Sequence, residues 1–146
     1  MHKLWLSLVI VGLILPAAAC GGGGGTPATS PQPGAVVTGP IEISGKASSG
    51  TISLTVSDDG ASIASVKVTL TELKCDGFSA GSLTKEVSGA FPAAKGNVVA
   101  SLSGIGKIDG RFTSPTAASG TIDLALEIPM GGTCKLGTQN WSAEAD

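Results

Sequence analysis

Apolar and polar positions along this chain alternate with a period of two. In residues 121–128, Ile122, Leu124, Leu126 and Ile128 alternate with Asp123, Ala125 and Glu127, the pattern of a strand with one face buried and one in water. Residues 51–57 repeat it, setting Ile52, Leu54 and Val56 against Thr51, Ser53, Thr55 and Ser57. Residues 62–74 carry Val66, Val68 and Leu70 in one phase but Ile63 and Leu73 in the other, which predicts backbone irregularities near residues 64–65 and 71–72. Val98, Ala100 and Leu102 form another alternating set; Ile108, Gly110 and Phe112 follow, with Phe112 as an aromatic core residue and Arg111 pointing outward. In residues 133–143, Cys134 is in phase with Leu136, and the segment closes on Trp141.

Two segments fit the pattern less well. Residues 36–44 place Val37, Ile41 and Ile43 around Gly39 and Pro40, and proline has no N–H to give to a ladder, so an edge strand or two short pieces are expected. In residues 78–94 only 83–87 read as a strand, with Phe91 as an inward anchor. Turn signals separate these segments: Asp58-Asp59-Gly60, Asp76-Gly77, Lys95-Gly96-Asn97, the small-residue run 114–120, and Pro129 with Gly131 and Gly132. No ordinary helix fits between residues 35 and 146 without crossing glycine, proline or an alternating segment. The expected fold is all-β: a two-layer β-sandwich of about seven to nine mainly antiparallel strands, with a small β-barrel as the alternative. Either arrangement gives one-sided strands a second apolar face.

The first nineteen residues differ in kind. Met1-His2-Lys3 is a positive start, residues 4–15 are apolar apart from Ser7 and Gly12, and Ala17, Ala18 and Ala19 are small. That is the build of a secretory signal peptide, shorter than a secure membrane span. Leu15-Pro16-Ala17-Ala18-Ala19-Cys20 resembles the bacterial lipoprotein signal, departing from its aliphatic preference at Ala17. The resemblance implies cleavage before Cys20, joining of its thiol to diacylglycerol and acylation of the freed amine, with palmitate as a typical chain. At about 0.8 kcal/mol per buried CH2, two or three chains hold a protein at a membrane where one does not. The other reading is a plain signal peptide with Cys20 incidental. After Cys20 come Gly21 to Gly25 and a Pro/Ser/Thr segment to Gly34, whose composition predicts a disordered linker. The expected organisation is a signal peptide (1–19), a lipidated cysteine and linker (20–34) and one β-domain (35–146).

Composition narrows the chemistry. His2 is the single histidine, tyrosine is absent, and of nine basic and eleven acidic side chains only Lys3 precedes Cys20. Removal of residues 1–19 would leave no histidine, so nucleophile systems that need it and zinc sites built on imidazole are not expected within one chain, and no basic face tracks a nucleic acid. No catalytic residue, cofactor or metal is expected. Cys75 and Cys134 remain after Cys20; in an exported protein they read as one disulfide, the alternatives being two buried thiols or separate redox groups. Asp58 and Asp59 read as turn residues rather than a calcium loop. A glycosidase-like pair drawn from Asp58, Asp59, Glu72, Asp76, Asp109, Asp123 and Glu127 would need two carboxyl groups roughly 5 to 9 Å apart beside a bound sugar. Trp141 is the candidate for stacking on a ligand, with core filling as the other reading.

Several runs resemble a group of exported bacterial β-domains of unknown function. These are Gly50 to Val56, Cys75-Asp76-Gly77, Ile108 to Phe112, Thr116 to Thr121, and Gly132 to Ala143 with Cys134 ahead of Trp141. The resemblance implies an extracytoplasmic β-rich fold with a Cys75 to Cys134 pairing, and supplies no activity or site residues. The functional expectation is a lipid-anchored, non-catalytic envelope or surface domain with a structural or protein-interaction role. The alternative is a module that binds carbohydrate or a small ligand. Partners expected are membrane lipid through the acylated N-terminus and an envelope protein or surface polymer. The lipoprotein resemblance implies the bacterial envelope, and, where there are two membranes, it favours the outer one, since Gly21 is not the acidic residue associated with inner-membrane retention.

Overall fold

The computed structural model describes residues 27–45, 47–129 and 132–146, with backbone alone at Phe78 and Ala80. The expected leader, Cys20 and the glycine run lie outside the described residues. Eight strands occur among those described: β1 (Val36–Glu42), β2 (Ser49–Val56), β3 (Ser62–Cys75), β4 (Phe78–Pro92), β5 (Asn97–Leu102), β6 (Gly106–Ser114), β7 (Ala117–Glu127) and β8 (Thr133–Glu144), with a 3-10 turn (Ala94–Gly96) before β5.

All eight belong to one antiparallel sheet in the order β4-β3-β2-β1-β8-β7-β6-β5. Two meanders, β1 to β4 and β5 to β8, are joined by the β1–β8 ladder. The edge strands β4 and β5 come within 8 Å of each other without a ladder. The molecule is thus a nearly closed up-and-down barrel. The all-β class and the strand number are as expected, but the barrel alternative fits better than the two-layer sandwich. A sandwich would leave the two meanders as separate layers, whereas the β1–β8 pairing makes them one curled sheet that covers its own apolar face.

Alternation sets the inner face. Ile52, Leu54, Val66, Ile108, Phe112, Ile122 and Leu124 are all fully buried. One belt of inward positions passes through every strand in register: Leu83, Leu70, Gly50, Ile41, Trp141, Gly120, Gly110 and Val98. Large and small residues share this belt so that the Trp141 ring fits inside the barrel. A Cβ on Gly110 would collide with Cζ2 of that ring, so glycine here serves close packing.

Three local expectations change. β1 is a central strand, not an edge, and it tolerates Pro40 because Gly39 and Pro40 drop out of its register with β8 while Thr38, Ile41 and Glu42 stay paired. The run 114–120 is not a long turn: residues 115–116 reverse the chain and β7 starts at Ala117. Its small residues serve the interior, since Ala118 lies opposite Phe112 and Gly120 opposite Trp141. The linker does not extend unstructured to Gly34. The N–H groups of Thr29 and Gln32 donate to the carbonyls of Phe112 and Pro115, both at 2.8 Å, and Pro31 is buried. Prolines lower the entropy that this segment loses on docking.

The irregularities expected in β3 are present. The β3–β4 register shifts between Ile63 and Ser65, and Glu72 has φ +51° with Leu73 buried beside it. Beyond Thr71, the partner of Ser49 at the start of β2, the β3–β4 hairpin overhangs the sheet. There Cys75 is bonded to Cys134 of β8, with their Cα atoms 5.7 Å apart. The disulfide reaches past β2 and β1 and fastens the hairpin at this end of the barrel. Gln139, the buried polar side chain, sits nearby: its Oε1 accepts from the Ser44 N–H at 3.3 Å and its Nε2 donates to the Leu136 carbonyl at 2.8 Å.

Candidate functional site

The inward side chains of the described residues are mainly aliphatic, with Phe112 and Trp141 among them, and the polar groups stand on the outer face of the sheet. Outward positions on β5, β6 and β7 fall into two register rows. Asn97, Arg111 and Ser119 form one, and Val99, Asp109 and Thr121 the other. Between the rows the backbones of Gly110 and Gly120 floor a shallow depression of about 300 Å³, walled by Asn97, Asp109, Arg111, Ser119 and Thr121. Side chains in neighbouring strands stand about 5 Å apart and those in successive rows about 7 Å. One amide, one carboxylate, one guanidinium and two hydroxyls therefore face a common space. This set offers planar donors and acceptors to a hydroxyl-rich ligand, with Val99, half-exposed at the β5 edge, as an apolar border.

A second depression of about 260 Å³ lies on the other meander, lined by Thr38, Thr51, Ser53, Lys67 and Thr69. Its hydroxyls are partly engaged with their own neighbours: Thr38 Oγ1 donates to Ser53 Oγ at 3.0 Å, and Thr69 shares a 3.1 Å bond with Thr84. Groups bound to each other have less left to offer a ligand.

The residues singled out from sequence are scattered. Trp141 is 2% exposed and lies beneath the floor glycines rather than on the surface, so its ring is core filling and presents no stacking platform. Its Nε1–H is buried and meets no acceptor among the described residues. Cys75 and Cys134 form the disulfide, away from the depression. Asp58 and Asp59 occupy the β2–β3 turn at one end of the barrel, while Glu72 and Asp76 belong to the overhanging hairpin at the other. Asp59 Oδ1 accepts from Ser57 Oγ at 2.5 Å and from the Ala61 N–H at 2.9 Å. Those two bonds, the Ser57 hydroxyl first, hold the Asp59 carboxyl below its ordinary value of 3.8. Asp109 and Asp123 stand diagonally across β6 and β7, both exposed, with Thr121 and Lys107 as their direct register partners. Among the described residues no three His, Cys, Asp or Glu side chains gather as a metal site.

Asn97, Ser119 and Thr121 carry no sequence signal that marks them. Each is an ordinary outward residue of a strand, and only the long-range register brings them beside Asp109 and Arg111. No family model matches this chain, and neither a curated protein nor a solved structure does.

Proposed function

We propose that this chain is a non-catalytic binding domain, held at a bacterial membrane through an acylated Cys20, that takes a carbohydrate or similar hydroxyl-rich ligand on its outer sheet face. The observation that carries the reading is the convergence of Asn97, Asp109, Arg111, Ser119 and Thr121 around one open depression. An amide, a carboxylate and a guanidinium at fixed strand spacing pair with sugar hydroxyls by two-point hydrogen bonding. The site is shallow and has no aromatic platform, so a single site is weak, on the order of millimolar. Membrane tethering compensates: many copies on one surface engage one polymer, and avidity rises without new contacts.

The test is retention on insoluble envelope polysaccharide by the chain and by Arg111→Ala, with both checked for an intact disulfide and sheet spectrum. The reading predicts retention that falls by about tenfold to a hundredfold in the variant, the size expected for losing a charge-assisted hydrogen bond at about 1.5–3 kcal/mol. Equal retention of both chains, or none by either, contradicts it.

A further inference from the structure

Residues 27–35 form a strap across one end of the barrel. Beyond the Thr29 and Gln32 bonds, the Gly34 N–H donates to the Ser57 carbonyl at 3.0 Å and the Val56 N–H to the Ala35 carbonyl at 2.8 Å. Gly60 packs on Pro31 and Pro33. At Gly96, with φ +82°, a Cβ would collide with the Thr29 carbonyl oxygen, so this turn is shaped to let the strap pass. The strap thereby binds the connections at 57–61, 93–96 and 115–116, all at the end where β1 begins and β8 finishes.

We infer that this strap makes the 57–61, 93–96 and 115–116 end the membrane-proximal surface of the protein and sets the height at which the outer-face depression is presented. The inference rests on the proposed acylation of Cys20. Were residues 20–35 all free, the tether would reach about 55 Å when fully extended; with 27–35 docked only residues 20–26 remain, and these span about 25 Å. The chain leaves the barrel beside Phe112 and Gly96, so the lipid surface lies within that distance of this end, and the Cys75–Cys134 end projects away. Neighbouring copies then hold their Asn97–Thr121 depressions at a common height, which suits a polymer running along the membrane rather than one approaching from afar.

Trp141 is an intrinsic probe of this arrangement. It is the only tryptophan after Cys20 and stands three residues before the end of β8, inside the barrel. The full acylated chain is reconstituted into vesicles whose outer leaflet carries a dansyl-labelled headgroup, and energy transfer from Trp141 is measured. It is compared with Thr29→Pro/Gln32→Pro, which removes two strap donors, and with a chain lengthened by a roughly eight-residue Gly/Ser insertion after Gly25. The inference predicts efficient transfer in the parent and a loss of about twofold or more in both variants. Lower transfer in the lengthened chain but parent-level transfer in the strap variant overturns it. A chain that has no acyl group by mass spectrometry and does not float with vesicles overturns the anchoring reading and this inference together. A chain that floats but fails the transfer comparison overturns this inference alone. If the strap variant loses its sheet spectrum, amide exchange on the vesicle-bound parent decides: slow exchange at Thr29, Gln32 and Gly34 supports the strap, and exchange at unprotected rates contradicts it.

Discussion

Trp141 and Gly110 make the sharpest statement about single residues. The ring occupies the space that a Cβ at Gly110 would need, so the two positions are energetically coupled. Gly110→Ala should destabilise the barrel by about 1–3 kcal/mol through overpacking, and by much less in a Trp141→Ala background, where the ring is gone. Chemical denaturation followed by circular dichroism closes this double-mutant cycle, and additive effects would show that the two do not touch. Trp141→Ala alone should cost about 3–5 kcal/mol. Trp141→Phe should cost less, since it also removes the buried N–H that lacks an acceptor. Asp59 gives a pH dependence. Its bonds to Ser57 and Ala61 favour the carboxylate in the folded state, so its pKa is lowered on folding. The stabilisation it contributes is present above the ordinary value of 3.8 and is lost as pH falls through the lowered folded value. Asp59→Ala should therefore flatten the acid limb of a melting-temperature profile and leave its neutral-pH slope unchanged.

Elements were legible in sequence wherever one face is buried and the other wet. β2, β5 and β7 follow directly from alternation, and the phase changes in β3 mark the shift at Ile63–Ser65 and the positive φ of Glu72. β4 was obscured for a physical reason. It is an edge strand rich in glycine, serine and alanine, and its inward phase at the open seam includes the half-buried Lys85, opposite Val68. A charge in that phase hides the alternation while discouraging edge-to-edge pairing with another chain. β1 reads as an edge strand or two short pieces from its own residues because its centrality depends on pairing with β8, far along the sequence. The same limit applied to the site: Asp109 and Arg111 drew notice by type, but Asn97, Ser119 and Thr121 join them only through the ladders. The disulfide closes a sequence separation of 59 residues, for which chain entropy gives about 4 kcal/mol. Reduction should lower stability by about 2–4 kcal/mol and speed amide exchange first in the hairpin beyond Glu72. Uniform acceleration across all strands would contradict its role as a local fastener.

For the whole molecule, a curled sheet has an apolar core, a strap at one end and a disulfide at the other, and the proposed ligand would meet its outer face. Composition foreshadowed this: the core is aliphatic, the aromatic Phe112 and Trp141 are both buried, and the polar groups line the outer strand faces. The account's central claim is that ligand meets the outer face of β5, β6 and β7 while the barrel stays shut. The most direct measurement is residue-resolved NMR during titration of the oxidised domain with oligosaccharides derived from envelope polymers. The account predicts shifts clustered at Asn97, Asp109, Arg111, Ser119 and Thr121, with the Leu124 amide unmoved. Shifts centred instead on inward positions such as Leu54, Leu124 and Phe112, with the outer rows silent, would contradict it.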